Sequence, residues 1–332
     1  MEKTLKLGII GFGRIVELIH IPILQKLKSQ MEIVGVYDVT ESRLKLAEKR
    51  GYAIFSDLHA FFQLEMDAVV IATPPNSHFD IAMQAIERKK HVLIEKPVTC
   101  TYQEAFTLQT VADKHGVGVT VFHNHRFDPD FLFVQETIAK GTLGSLTFLQ
   151  RNHHSNQTGS NFGVKSFDPS WRVQKAYGGG ALLDWGVHLV DQLLHLQLGE
   201  IAYIDGKAIS LPLAEGEVDD FVYVYLHMKN HMMASLNINF RTQLPQPAWM
   251  VGGTEGTMQI DGQTATIKTI DGEIETFSIA KPSRLSAKHI YESFLNFMIK
   301  GTPLHVPLSD AVEGMRILEH IQIQNEQANV SI

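Results

Sequence analysis

The sequence predicts an α/β domain with a doubly wound parallel (Rossmann) sheet, followed by an α+β domain built on a large, mostly antiparallel sheet. Three observations predict it. Over the first ~120 residues, short β-rich runs alternate with helical patterns, the layout of a parallel sheet. From Phe221 to Ile279 strand candidates crowd together, and Asp261-Gly262 and Asp271-Gly272 mark tight hairpins, which join antiparallel strands. The length, 332 residues, fits about two domains at roughly 100–200 residues each. The division expected is a dinucleotide-binding domain over residues 1–122 and a substrate-binding and oligomerisation domain over residues 123–332.

In order, Leu5 to Ile10 reads as a buried strand. Arg14 to Lys28 reads as a helix that Pro22 kinks or divides. Glu32 to Asp38 is the second strand, and Glu41 to Arg50 a helix stopped by Gly51. Strands at Asp67–Thr73 and His91–Glu95 bracket a helix from about His78 to Arg88. Thr101 and Glu104 form a capping box that opens a helix to about Lys114, and Gly118 to Phe122 closes the series. Beyond it come a helix (Pro129–Gly141), a strand (about Ser145–His154), a long polar loop (Thr158–Gly180), a helix (about Ala181–Leu198), the strand-rich stretch, and two helices (about Ser286–Lys300 and Ser309–Gln324).

Composition narrows the function classes. The formal net charge is -7, so the clustered cations that bind nucleic-acid phosphates are not expected. A single cysteine, Cys100, excludes an intrachain disulfide framework and a Cys-rich zinc site. No apolar run reaches a membrane span, and the N-terminus lacks the pattern of a signal peptide; a cytoplasmic protein is expected.

Strand one runs into Gly11-Phe12-Gly13-Arg14-Ile15-Val16 and a helix. Gly11 permits a tight turn, and Gly13 lets backbone N–H groups approach a pyrophosphate at the helix start. Val16 stands where the dinucleotide fingerprint has a third glycine or alanine. Asp38, at the end of strand two and 27 residues after Gly11, is placed to accept both hydroxyls of an adenosine ribose, which favours NAD over NADP. Glu95-Lys96-Pro97 lies at the carboxyl end of a parallel strand, where open α/β sheets bind ligands. Lys96 reads either as a proton-transfer group or as a surface lysine before a turn proline.

Asp184, His188, Asp191 and His195 are offset by 4, 7 and 11 residues and share one helix face. Three readings fit: Asp184 and His188 as an acid–base pair, as metal ligands, or as satisfied polar groups at an interface. Gly178 to Gly180 and Gly186 admit close approach of another backbone or a ligand. His123, His125, His153 and His154 add candidate ligands but no compact three-ligand set, so no metal is expected.

These residues, in this order, resemble the Gfo/Idh/MocA oxidoreductases over essentially the whole chain. The resemblance rests on the glycine loop, Asp38, the run Ala72 to His78, Glu95-Lys96-Pro97 and the segment Gly178 to Gln192. His123 to Phe131 and Trp171-Arg172 resemble the branch that holds scyllo-inositol dehydrogenases. The resemblance implies nicotinamide-dependent hydride transfer at a carbinol carbon of a sugar, inositol or other polyol. It implies Lys96 as the catalytic lysine, with Asp184 and His188 on the substrate side. Gly11, Phe12, Gly13, Arg14, Ile15, Asp38, Thr73, Pro74, Pro75, Asn76, His78, Glu95 and Asn124 then bind the cofactor, NAD or alternatively NADP, and Trp171 and Arg172 reach it from the second domain. In the oxidation direction His188 accepts the hydroxyl proton, Lys96 steadies the oxygen, and Asp184 holds substrate and tunes His188. The alternatives are a redox-neutral lyase or glycosidase that uses NAD transiently, a dinucleotide-dependent sensor and, more distantly, a metal hydrolase. A homodimer or homotetramer is expected, packed through the antiparallel sheet.

Overall fold

The computed structural model describes residues 4–156, 169–211 and 216–328. Contacts divide them into two compact units, one of residues 4–124, 169 and 283–313, the other of residues 125–156, 170–211, 216–282 and 314–328.

In the first unit six strands pair in parallel: β1 (Leu5–Ile10), β2 (Met31–Tyr37), β3 (Ile54–Phe55), β4 (Ala68–Ile71), β5 (His91–Ile94) and β6 (Val119–Val121). Their order is β3-β2-β1-β4-β5-β6, so the direction of winding reverses between β1 and β4. Helices cover both faces of such a sheet, which is why β4 and β5 read as unbroken apolar runs. Ala68 to Ile71 and Val92 to Ile94 are fully buried.

The helix expected over Arg14–Lys28 is divided, as Pro22 suggested. A π-helical turn, Val16–His20, passes into the α-helix Ile21–Lys26, and Pro22 falls in the first turn of the α segment, where its missing N–H costs little. The Thr101/Glu104 capping box is present in both directions, and the helix it opens, Tyr102–His115, stops at Gly116 in the left-handed region.

A single cut near residue 123 does not describe the chain path. Residues 283–313, expected in the second domain, return to the first unit. The reason lies at β6. Thr120 Oγ1 donates to the Val306 carbonyl at 2.8 Å, and Phe297 of the helix Lys288–Lys300 lies where a Cβ on Gly118 would be, 2.1 Å away.

The second unit holds an eight-stranded sheet: β7 (Leu146–His154), β8 (Ile201–Ile209), β9 (Phe221–Met228), β10 (Met233–Asn239), β11 (Trp249–Gly253), β12 (Gly256–Asp261), β13 (Thr264–Thr269) and β14 (Ile274–Ser278). The order is β14-β13-β12-β11-β7-β10-β9-β8, antiparallel throughout except for β10 beside β7. Strands β8 and β11 have no counterpart in the sequence reading. β8 buries only Ile204 and Gly206, so no apolar alternation marks it. β11 ends in two glycines, and a Cβ on Gly252 would meet the Phe148 ring at 2.2 Å.

Within this unit the helix Pro129–Ala139 brings Phe131 to the fully buried Trp249, whose Nε1 donates to Asp130 at 2.9 Å. Arg126 and Asp191, both buried, form a two-bond ion pair, with Nε to Oδ2 at 2.8 Å and Nη2 to Oδ1 at 2.5 Å. Among the described residues no helix is long and apolar enough to cross a membrane, and no group of three or more His, Cys, Asp or Glu is placed to hold a metal ion.

Two stability predictions follow from these buried charges. Asp191→Ala removes both of these bonds from the buried Arg126 guanidinium and is expected to cost about 3–5 kcal/mol in denaturant unfolding; a loss under about 1 kcal/mol contradicts this. Burial raises the Asp219 carboxyl to about 6 while its Oδ2 accepts the Leu182 N–H at 2.7 Å. The folded state therefore holds this proton more tightly than the unfolded chain does. The contribution of the neutral form is complete below about pH 4 and lost as pH rises to about 6. Asp219→Asn, which keeps an acceptor oxygen, should flatten that part of the melting-temperature profile and raise the melting temperature at pH 7. A profile unchanged from wild type contradicts it.

Candidate functional site

In the first unit the sequence-predicted residues collect at the carboxyl ends of successive strands. Gly11 follows β1 with φ +89°, and a Cβ there would lie 2.6 Å from the Ala72 carbonyl oxygen, so only glycine fits. Gly13 is different: a Cβ on it meets nothing within 4 Å, so open space lies over the loop where the helix starts. Val16, where the fingerprint has a third glycine or alanine, is fully buried at the start of the π-turn.

Asp38 ties the loop to the end of β2. Its Oδ2 accepts the Phe12 N–H and its Oδ1 the Thr40 N–H, both at 2.7 Å. Each carboxylate oxygen has a second lone pair to offer a ligand hydroxyl. Phe12 itself is fully buried, its ring beside Tyr52 at 6.1 Å and its carbonyl accepting Arg43 Nε at 2.6 Å. Arg43 and Arg50, the two arginines that follow β2, both pair with Glu17. The open space at Gly13, a helix start beside it and a fixed acid after β2 fit a dinucleotide.

The run after β4 is braced from within. Ser77 Oγ donates to Thr73 Oγ1 at 2.7 Å. His78 is fully buried, and its Nδ1 and Nε2 lie 2.8 Å from the carbonyls of Pro97 and Thr73. It joins two loops rather than offering a group to a ligand, and burial lowers its proton affinity against the pull of those carbonyls. Pro75 is buried too, whereas Thr73 and Pro74 are half-buried and Asn76 exposed.

After β5, Lys96 is half-buried and the Lys96–Pro97 bond is cis. Glu95 is buried, with Oε1 3.0 Å from His20 Nε2 and Oε2 accepting the Lys96 N–H at 3.2 Å. Burial pushes the Glu95 carboxyl up, but the hydrogen bond and charge of His20, with the charge of Lys96, hold it below the usual carboxylate value. Asn124, half-buried after β6, opens a short 3₁₀ turn.

In the second unit the helix expected over Ala181–Leu198 begins as a π-turn, Leu182–Gly186, and continues as the α-helix Val187–His195. The four polar residues of its sequence stripe part company. Asp191 belongs to the Arg126 pair and His195 packs near Phe131, at 6.0 Å. Asp184 accepts Arg172 Nη1 at 2.9 Å. His188 is 3% exposed, its ring at 4.3 Å from His125, nearly perpendicular, and 5.7 Å from Trp185.

Arg172 lies 4.5 Å over the Trp171 ring in the 3₁₀ turn Pro169–Val173, and the Trp171 Nε1 is buried without a hydrogen-bond partner among the described residues. The preceding part of the expected polar loop, residues 158–168, lies outside the described residues. The glycines at 179 and 180 admit protein, not ligand. A Cβ on Gly179 would lie 2.2 Å from the Arg172 carbonyl oxygen, and one on Gly180 2.4 Å from Asp219 Oδ1.

Two further side chains join this group. Trp185 stacks on His153 at 3.4 Å, with 14° between the planes. Burial first, then the charges of Arg151 and His125, push the His153 ring down to about 3, so it is neutral at neutral pH. Sequence reasoning passed over Trp185 because it does not titrate. The signal was its place beside Asp184 in an otherwise aliphatic helix.

Comparison with known proteins agrees with this geometry. Residues 5–123 match the Gfo/Idh/MocA oxidoreductase family with its NAD-binding Rossmann fold, and residues 131–259 match the Gfo/Idh/MocA C-terminal domain. Scyllo-inositol 2-dehydrogenase (NADP(+)) of Bacillus subtilis is 30% identical over 199 residues, 58% of this chain and 52% of that protein. Oxidoreductase P35 of Formosa agariphila is 26% identical over 326 residues, covering 97% of this chain and 98% of the relative. The chain thus spans about half the length of the first curated relatives it matches, though nearly all of the second protein named. A solved NAD-binding protein from Listeria innocua superposes with a TM-score of 0.85 at 29% identity, covering 98% of this chain and 96% of that one. The WlbA dehydrogenase of Bordetella pertussis, solved with NADH and UDP-GlcNAcA, shares the fold at 21% identity and a TM-score of 0.82, covering 98% of each chain. The chain belongs to the Gfo/Idh/MocA family of oxidoreductases.

Proposed function

We propose that this protein is a nicotinamide-dependent dehydrogenase that moves a hydride between its cofactor and a carbinol carbon of a sugar, inositol or related polyol. One observation carries the reading: the carboxyl edge of the parallel sheet gathers a glycine loop with open space at Gly13, an acid fixed after β2 and a lysine after β5. Gly11, Gly13, Arg14 and Ile15 hold the pyrophosphate side, Asp38 the adenosine ribose, and Thr73, Pro74, Asn76 and Asn124 the nicotinamide side. Phe12, Pro75, His78 and Glu95 act through the backbone they brace.

The bound nicotinamide supplies the hydride acceptor or donor. The Lys96 amine donates a hydrogen bond to the reacting oxygen and stabilises its developing charge. His188 takes the hydroxyl proton in oxidation and returns it in reduction. Asp184, joined to Arg172, orients the substrate, and the Trp171/Arg172 pair serves the cofactor. The stacked Trp185 and neutral His153 suit a polyol ring, with one apolar face and one acceptor nitrogen.

A carboxylate at residue 38 repels a 2′-phosphate, and Arg43 and Arg50 are paired with Glu17, so NAD is the cofactor favoured. NADP is the alternative, given the name of the Bacillus relative. A redox-neutral reaction is the second reading, supported by a 27% identical relative named 2,7-anhydro-N-acetylneuraminate hydratase. Accumulation of NADH over many turnovers separates the two. Tyr203, Tyr225 and Met233 stand exposed on neighbouring strands of the second unit's sheet, which supports a homodimer or homotetramer built on that face.

Over a panel of inositols, aldoses and lactones, Lys96→Ala and His188→Ala are each expected to lower kcat about 10²-fold or more while NADH binding, followed by fluorescence, stays within about threefold. Wild-type turnover in either removes that residue from the mechanism. Asp38→Asn keeps one acceptor oxygen and removes the charge. It should shift the ratio of kcat/KM for NAD over NADP about tenfold towards NADP, and an unchanged ratio rejects Asp38 as the selector.

A further inference from the structure

Among the buried side chains of the first unit, His20, Glu95 and Tyr291 form a hydrogen-bonded chain with no direct part in hydride transfer. His20 closes the π-turn and is wholly buried. Its Nδ1 lies 2.7 Å from the hydroxyl of Tyr291, and its Nε2 lies 3.0 Å from Glu95 Oε1. Phe122, at 4.4 Å between ring centres, and Tyr291, at 5.9 Å, hold the imidazole on two sides. Tyr291 is also wholly buried, and it lies outside both segments that match the family.

The chain continues towards residue 96. Burial raises the Tyr291 phenol well above its usual value, so its hydroxyl keeps the proton and stands within hydrogen-bond reach of His20 Nδ1. The Nε2–H of the ring then donates to Glu95 Oε1, and Glu95 Oε2 accepts the Lys96 N–H. Glu95 N–H itself donates to the Ile71 carbonyl at 2.9 Å. Both carboxylate oxygens and the backbone of residue 95 are therefore fixed one residue before the proposed catalytic amine.

We propose that His20, oriented by Tyr291, is a positioning residue for Lys96: its ring fixes the Glu95 carboxylate, and that carboxylate fixes the turn from which the Lys96 amine projects. The inference rests on the reading of Lys96 as the catalytic lysine. Displacement of a reacting group by about 1 Å costs on the order of 10²-fold in rate, so a ring with no ligand contact can govern turnover.

The test uses the full chain with the polyol panel and NAD, and compares His20→Leu, His20→Gln, Tyr291→Phe and Lys96→Ala. Glutamine places an amide nitrogen and oxygen at nearly the spacing of the two ring nitrogens, so it can donate to Glu95 and accept from Tyr291. His20→Leu is expected to lower kcat about 30-fold or more, with KM and NADH affinity within about threefold of wild type. His20→Gln should recover kcat to within about fivefold, and Tyr291→Phe should fall in between. A folded His20→Leu enzyme with wild-type kcat overturns the inference. So does a glutamine variant as slow as the leucine one with a parallel loss of NADH affinity, which marks a merely structural ring. If the leucine variant does not fold, Tyr291→Phe decides: lower kcat at constant KM supports the inference, and wild-type kcat overturns it. Wild-type turnover by Lys96→Ala overturns the underlying reading instead.

Discussion

At the centre of the parallel sheet lies a contact in which no side chain fits. The backbone of Gly11 leaves β1 against the Ala72 carbonyl, at the place where β1 and β4 are neighbours and the strand order reverses. A Cβ at 2.6 Å from that oxygen would force apart the two strands whose ends make the crevice. Because Gly11 turns here, the chain can begin a helix at Arg14 with the open face of Gly13 ahead of it, and Asp38 can reach across from β2 to the Phe12 N–H. The order of events is steric first and electrostatic second. Only after the backbone has turned are there N–H groups and an acid to receive a dinucleotide.

The same economy of backbone appears in the second unit, with a different result. Gly179 and Gly180 lie against the Arg172 carbonyl and the Asp219 side chain, so the glycine run seats the start of the helix that follows on protein. Two helices bearing candidate site residues open with π-turns, at Val16–His20 and Leu182–Gly186. A π-turn adds a residue per turn and rotates everything after it relative to an α-helix. In the first helix the turn ends on His20, facing Glu95. In the second it contains Asp184 and precedes His188.

These features explain what the sequence could and could not disclose. Five of the six parallel strands were legible, β4 and β5 most plainly because both their faces are buried and their side chains are almost all apolar, whereas the two-residue β3 was too short to show a pattern. The capping box and the Asp-Gly hairpins were legible because their chemistry is local. Strand β8 was not, since only two of its nine residues are buried and its pairing with β9 supplies what its own pattern lacks. The return of residues 283–313 to the first unit was hidden for the same reason, because Phe297 meets Gly118 and Val306 meets Thr120 across more than 170 positions. The glycine loop, Asp38 and Lys96 were visible as motifs. The buried partners that hold them, His20, Tyr291 and Arg43, were not, since a partner distant in sequence leaves no spacing to read.

The proposal of His188 as proton acceptor draws support from a comparison of the rings around Trp185. His153 stacks on that indole, and burial with neighbouring cations brings its proton affinity to about 3. At neutral pH such a ring can accept a hydrogen bond but cannot hold a proton between steps. His125 has its Nδ1 engaged with Asp128, three residues away in the same turn, and so is oriented by its own loop. His188 stands on the helix that also presents Asp184, which is tied through Arg172 to Trp171. A base must be placed by a rigid element and coupled to the group that orients the substrate. Of the three imidazoles, His188 best fits the role proposed for it, with the rings of His125 and Trp185 beside its own.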